Sequence, residues 1–264
     1  MTEEERRVDL IRALQAENPQ YHKMEMPKEA QGQRRLLRAL MNVRPPWPAT
    51  AELLAEQDRY LCAERERRGT VSPSELTPSR AHQQLYLWRG DITRLAVDAV
   101  VNAANSALLG CFIPCHGCID NAIHSAAGIQ LRLACADLMR RQGHEEPVGS
   151  AKITPGFNLP GRYVIHTVGP IVTGAPTRAQ CGQLACCYRA CLTLADQSDL
   201  RSIAFCCIST GEFRFPNQAA GEIAVKTVRA YLSRTRSRLN VIFDVFTAQD
   251  EAIYRKLLES GGAF

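Results

Sequence analysis

From residue 85 onward, short runs of apolar, β-favouring residues alternate with stretches long enough for helices, and this alternation restricts the chain to few architectures. Leu85-Tyr86-Leu87-Trp88, Ala99-Val100-Val101, Tyr163-Val164-Ile165, the run Ile203 to Ile208 and the run Val241 to Val245 read as strands. Helices are predicted over 120–141, 177–197, 217–233 and 248–260. Strands alternating with helices of that length imply an α/β sandwich whose sheet is covered on both faces. Ligands of such folds sit beyond the carboxyl ends of the strands, so the residues just after each run are the ones to read for chemistry.

The first 84 residues are different text. They carry 14 basic and 13 acidic residues and one cysteine, against 18, 14 and ten in the remaining 180. Val8, Leu10, Ile11 and Leu14 lie at helical spacing, as do Leu36, Leu37, Leu40 and Met41, and a third helix is predicted from Thr50 to about Arg67. Arg44-Pro45-Pro46-Trp47-Pro48 between them must be a stiff connector, because each proline fixes φ and disfavours helix at its predecessor. The breaker-rich stretch 70–78 places a boundary near residue 80: a helical extension over 1–80 and an α/β domain over 81–264.

Composition excludes several classes. With 45% apolar and 22% charged residues the chain is globular rather than fibrous or disordered. No apolar run approaches the ~20 residues of a membrane helix, and the first dozen residues are too charged for a secretory signal, so no membrane role and a cytoplasmic location are expected. The net charge of +5 is too small and too interspersed for a nucleic-acid footprint, and Arg234, Arg236 and Arg238 lack interleaved aromatics. Eleven cysteines, an odd number, argue for free thiols and a metal rather than a disulfide framework.

Three segments leave strand ends with small or polar residues: Arg89 to Thr93, Asn102 to Ser106, and Ser209 to Phe213. Small residues at Ser209-Thr210-Gly211 let backbone N–H groups approach an anion, although such residues also dominate ordinary turns. Asp91 after Gly90 equally suits a turn or cap. Together with GDIT at 90–93, VVNAANSALLG at 101–110, IHSAAG at 123–128, KITPGFNLPGRYVIHTVGP at 152–170, ISTGEFRFP at 208–216 and DVFTAQD at 244–250, in that order, the region resembles a macrodomain, an ADP-ribose-binding module. The resemblance implies a three-layer α/β/α sandwich with a mixed central sheet. It implies that Asp91 accepts from the adenine amino group while the Ile92 N–H meets the ring, that the loop Ser209, Thr210, Gly211, Glu212, Phe213 wraps the diphosphate, and that Asn105 faces the distal ribose. Phe246, following a strand, fits either stacking on adenine or a core position.

One segment departs from the common macrodomain pattern, which has a run of glycines there. Between Gly110 and Asp120 stand Cys111, Cys115, His116 and Cys118, three thiols and an imidazole within eight residues. Soft thiolates with imidazole favour Zn²⁺, whereas cysteines alone would also serve as small buried hydrophobes. Cys181, Cys186, Cys187 and Cys191 in a helix, and Cys206 and Cys207 in a strand, are predicted core residues. The Cys-x4-His-x-Cys spacing and the extension bearing Asn42-Val43-Arg44-Pro45-Pro46 resemble the zinc-containing branch of the macrodomain family, bacterial and fungal ADP-ribosyl hydrolases.

That resemblance implies one zinc held by Cys111, His116 and Cys118, with Cys115 outside the ligand set. Three protein ligands would leave a position open, as in catalytic sites. It places Cys118, Ile119 and Asp120 beside the distal ribose, with Asn105 and Asp120 catalytic. A carboxylate there suits a general base, and its position also suits a first-turn helix acid. His124 and His166 are predicted core or supporting residues. The implied activity is removal of mono-ADP-ribose from acidic side chains of a modified protein, with free ADP-ribose as product. A non-catalytic ADP-ribose reader with a structural zinc is the competing reading.

Overall fold

The runs Ala99–Ala104 (β3), Tyr163–Val168 (β5) and Asn240–Val245 (β7) are buried at nearly every position, the pattern of strands covered on both faces. In the computed structural model, which describes residues 1–259, they join Pro78–Ser79 (β1), His82–Arg89 (β2), Ala151–Pro155 (β4) and Ser202–Phe205 (β6) in one seven-stranded sheet of order β1-β2-β7-β6-β3-β5-β4. The five central strands are parallel; β1 and β4 pair antiparallel at the two edges. The sheet therefore begins at residue 78, inside the breaker-rich stretch.

Helices Ile119–Ala127 (α4), Ile129–Gln142 (α5), Arg178–Gln197 (α6), Asn217–Thr235 (α7) and Ala248–Glu259 (α8) cover the sheet. Successive residues of β5 show the two layers: His166 meets Cys135 of α5, whereas Thr167 meets Cys187 of α6. The three-layer mixed α/β/α sandwich is the expected one.

Three details differ from the sequence reading. The helix predicted over 120–141 is two helices, broken at Gly128 (φ 95°), where a Cβ would come within 2.6 Å of the Gln57 side chain. The strand β4 was not predicted; Lys152 and Pro155 suit an edge, where a missing ladder donor costs nothing. The run from Ile203 leaves the sheet after Phe205, so Cys206 and Cys207 follow the strand rather than interrupt it.

Helices Glu3–Ala16 (α1), Ala30–Val43 (α2) and Ala51–Arg68 (α3) share their own small core of Leu10, Ile11, Leu14, Leu37, Leu40, Met41, Tyr60 and Leu61, which takes in Ile129 of α5. The connector after α2 is held by Arg44, buried, with both guanidinium edges used: Nε and Nη2 donate to Glu17 at 2.6 and 2.9 Å, and Nη1 and Nη2 to the carbonyls of Trp47 and Pro48 at 2.8 and 3.0 Å. Arg132 of α5 donates in turn to the Met41 and Arg44 carbonyls, and the Gln57 side chain accepts from the Ile129 N–H at 2.8 Å, capping α5 from α3. Among the described residues no helix is long and apolar enough to cross a membrane.

Candidate active site

Because β2, β7, β6 and β3 are adjacent and parallel, the segments following them meet along one rim of the sheet. Asp91 follows β2 and caps the short turn Ile92–Arg94: its Oδ1 accepts from the Thr93 N–H and hydroxyl at 3.0 and 2.7 Å, and its Oδ2 from Arg68 at 3.2 Å. Ile92 is buried beneath it. Phe246 follows β7 and is 78% exposed, so the core reading of this aromatic is excluded. Ser209 to Phe213 follow β6. Ser209 (φ 67°) and Arg214 (φ 56°) bend the loop. The backbone N–H groups of Ser209, Gly211, Glu212 and Phe213 donate to no backbone carbonyl among the described residues. Among the described residues Ser209 Oγ is buried without a hydrogen-bond partner, and Gly169 must lack a side chain because a Cβ would stand 2.0 Å from that oxygen.

Asn105 follows β3. Its Oδ1 accepts from the Ala107 N–H at 3.1 Å, and its Nδ2 donates to the Gly110 carbonyl at 3.2 Å and towards Asp120 Oδ2 at 3.5 Å. Asp120, in the first turn of α4, is buried, and Asn102 Nδ2 donates to its Oδ1 at 2.8 Å. The same amide meets His166 Nδ1 at 3.2 Å, while His166 Nε2 meets Thr154 Oγ1 at 2.9 Å. This chain from Thr154 through His166 and Asn102 to Asp120 was not read from the sequence. Asn102 stood inside a quoted motif without a role, and the pairing Asn102↔His166 depends on the register of β3 with β5. His124 is buried with its Nε2 3.5 Å from Asp120 Oδ1, although neither ring nitrogen makes a hydrogen bond among the described residues.

Burial pushes the Asp120 carboxyl up to about 6, against the Asn102 hydrogen bond and the charge of Arg132. Burial likewise pushes His166 down to about 4 and His124 well below the ordinary histidine range. These shifts have opposite consequences for stability. His166 takes up a proton only in the unfolded chain between its ordinary 6.5 and about 4, so its contribution is present above that window and is lost as pH falls through it. Asp120, raised from 3.8, contributes stability that is present below 3.8 and lost as pH rises through about 6. Each effect is roughly 3 kcal/mol, and between pH 4 and 6 they offset. In metal-free protein, Asp120→Asn is therefore expected to steepen the loss of stability on acidification from pH 6.5 to 4, measured by urea unfolding. Equal slopes for variant and wild type would contradict the buried charge at Asp120.

The thiol loop between β3 and α4 brings Cys111, His116 and Cys118 together, with one donor atom from each within 4.8 Å of the others. Cys111 Sγ lies 3.5 Å from His116 Nδ1, and His116 Nε2 faces Glu212 of the Ser209 loop at 3.5 Å, which joins the two loops across the rim. Cys118 is the N-cap of α4, its sulfur accepting from the Asn121 N–H at 3.4 Å, and Ile119 opens the helix behind it. Cys115 is left-handed (φ 52°) and its thiol donates to the Arg35 carbonyl at 3.3 Å, away from the other donors. Elsewhere Cys187 and Cys191 are core residues as expected, but Cys186 is exposed on the outer face of α6.

The Macro domain family model matches residues 101–224 of this chain. The chain is 53% identical over 260 residues to the Protein-ADP-ribose hydrolase of Treponema medium, covering 98% of this chain and 100% of that one. It is 47% identical over 248 residues to the Protein-ADP-ribose hydrolase of Staphylococcus aureus strain MRSA252, covering 94% and 92%. Among solved structures, a Trypanosoma brucei macrodomain in complex with ADP-ribose matches with a TM-score of 0.66 at 31% identity, over 83% of this chain and 94% of that one. The likeness thus extends from the rim residues through the sheet and into the preceding helices, and the chain belongs to the macrodomain family.

Proposed function

We propose that this macrodomain is a protein-ADP-ribose hydrolase that removes mono-ADP-ribose from acidic side chains of a modified protein, releases ADP-ribose, and holds one zinc ion through Cys111, His116 and Cys118. The observation that carries the reading is the order of strand ends along the rim. From β2 through β7 and β6 to β3 stand Asp91, the exposed ring of Phe246, the loop with free N–H groups, and Asn105 with Asp120. That is the order of adenine, diphosphate and distal ribose along one ligand. The relatives' name supports the hydrolytic step.

Each residue then has a task suited to its chemistry. Asp91 accepts from the adenine amino group beside Ile92, and Phe246 presents a face on which a base stacks. The N–H groups of Ser209, Gly211, Glu212 and Phe213 donate to diphosphate oxygens. Asn105 orients the distal ribose at its Nδ2. Asp120, its Oδ1 held by Asn102, accepts the proton that leaves the attacking water, or a ribose hydroxyl, as the bond to the acidic side chain is cleaved.

The donor set fits zinc. Two thiols and an imidazole converge, and the imidazole's second nitrogen faces a carboxylate, the usual outer partner of a ligating histidine. When bound, a zinc ion held by two thiolates and a neutral imidazole would leave the site formally neutral, and it would serve to orient and polarise an oxygen of the substrate or of water rather than act as a strong Lewis acid. All eleven cysteines are free thiols, which supports a reducing, cytoplasmic setting.

The reading is tested by turnover of an aspartate-linked ADP-ribosyl protein with and without a chelator; tight ADP-ribose binding with no cleavage of any acidic-residue-linked substrate would replace it with the reader. Asp91→Ala is expected to weaken ADP-ribose binding by about 1–3 kcal/mol in calorimetry, the cost of one lost buried hydrogen bond, with metal content unchanged. An unaltered affinity would reduce Asp91 to a turn residue paired with Arg68. Cys115→Gly, which suits the left-handed backbone there, is expected to leave zinc content at the wild-type value by elemental analysis. A loss of zinc would bring Cys115 into the ligand set.

A further inference from the structure

The thiol loop has no regular structure of its own, yet its backbone is held at two points directly from α2 and at a third through Asn121 of α4, itself bonded to α2. Arg38 and Asn42, one helical turn apart, lie on the same face of that helix. Arg38 Nη2 donates to Asn121 Oδ1 at 2.7 Å and to the His116 carbonyl at 3.3 Å, with Nε on the same Asn121 oxygen at 3.2 Å. Asn121, fully buried, uses its Nδ2 to hold the Ile113 carbonyl at 2.9 Å. Asn42, also buried, accepts the Cys115 N–H on Oδ1 at 2.9 Å and donates from Nδ2 to Ser125 of α4 at 2.9 Å. Residues 113, 115 and 116 are thereby tied, and the tie at 115 holds a residue whose positive φ is unfavourable for anything but glycine.

These bonds fall between the donors and beside them. Ile113, Cys115 and His116 lie between Cys111 and Cys118, and one of the tied carbonyls belongs to the His116 donor itself. Were α2 merely packed on the domain, its apolar face, with Leu37, Leu40 and Met41 buried, would suffice. The polar side chains of Arg38 and Asn42 instead reach the loop that carries Cys111, His116 and Cys118.

We infer that Arg38 and Asn42 are positioning residues: the helical extension sets the spacing of Cys111, His116 and Cys118. This rests on the zinc reading above for its consequence, but not for its geometry. Outer partners of metal ligands are worth about 10–100-fold in metal affinity.

The experiment uses the full chain as wild type, Arg38→Ala, Asn42→Ala and Asn42→Asp. Zinc release into excess chelator, hydrogen exchange over residues 111–121 in the metal-free protein, and ADP-ribose affinity are measured for each. Both alanine variants are expected to release zinc about 10–100-fold faster and to exchange faster at 113–116, with ADP-ribose affinity unchanged. Asn42→Asp keeps the acceptor for the Cys115 N–H and is expected to restore slow exchange at that amide. Wild-type exchange and zinc release in both alanine variants would overturn the inference, as would acceleration spread evenly over the whole chain. If Asn42→Ala does not fold, Arg38→Ala, whose side chain is only half-buried, carries the same expectation. A wild type without zinc refutes the zinc reading, and exchange in the metal-free protein still decides whether α2 orders the loop.

Discussion

Asp120→Asn is expected to slow release of ADP-ribose from an acidic side chain on the order of 10²–10⁴-fold, the usual cost of a lost acid–base group. The substitution is chosen for what it preserves. Asparagine has nearly the same volume, and its Oδ1 still accepts from Asn102, so the buried contact at 2.8 Å survives while the proton acceptor disappears. Asn105, which approaches the other carboxylate oxygen at 3.5 Å, keeps its bond to the Gly110 carbonyl and stays in place. The diphosphate loop follows the neighbouring strand β6 and, among the described residues, makes no hydrogen bond to Asp120, so ADP-ribose affinity should change little. Slow cleavage with intact binding identifies a group that acts in the transition state rather than the ground state. Single-turnover cleavage beside calorimetry makes the comparison. If cleavage and affinity fall together by the same factor, Asp120 serves to bind the ribose and the base lies elsewhere.

What could be read from the sequence and what could not divides along contact order. The alternation after residue 85 made the covered sheet legible, and because ligand-binding residues of such folds follow strands, Asp91, Asn105 and the Ser209 loop were legible too. The break at Gly128 was not, since a glycine amid helix-forming text is ordinarily tolerated; the crowding by Gln57 that forbids a side chain there comes from 71 residues upstream. Nor was the support of Asp120. Asn102 and His166 are 64 residues apart and meet only once β3 and β5 pair in register.

The thiol loop marks the same limit at closer range. The resemblance leaves Cys115 outside the implied ligand set, and the fold supplies a local reason that spacing does not show: its left-handed backbone goes with a sulfur turned to Arg35. Arg38 carries no local signal, and Asn42 opens a quoted motif without a role of its own, until their partners at 116, 121 and 115 are known. Phe246 shows the reverse case: sequence left stacking and core equally open, and exposure removed one of them.

Cys118→Ser is expected to take zinc from about one per chain to a small fraction of that, and turnover with it. The choice of serine separates two jobs that this cysteine performs. Its sulfur caps α4 by accepting the Asn121 N–H, and serine is a preferred N-cap whose oxygen does the same. Alanine removes the cap as well and should cost about 1 kcal/mol of stability more than serine. Hard hydroxyl oxygen is a poor substitute for thiolate beside a second thiol and an imidazole, so Cys118→Ser keeps the helix and loses the metal. With the cap intact, Asp120 two residues on stays buried against Asn102, and the free N–H groups of the Ser209 loop still bind diphosphate. The expected protein is thus folded, holds ADP-ribose, contains little zinc and does not cleave. Full zinc content in Cys118→Ser by elemental analysis would remove Cys118 from the ligand set. Cleavage at the wild-type rate by zinc-depleted Cys118→Ser would leave Asp120 and the ribose-orienting amide of Asn105 as the whole of the chemistry.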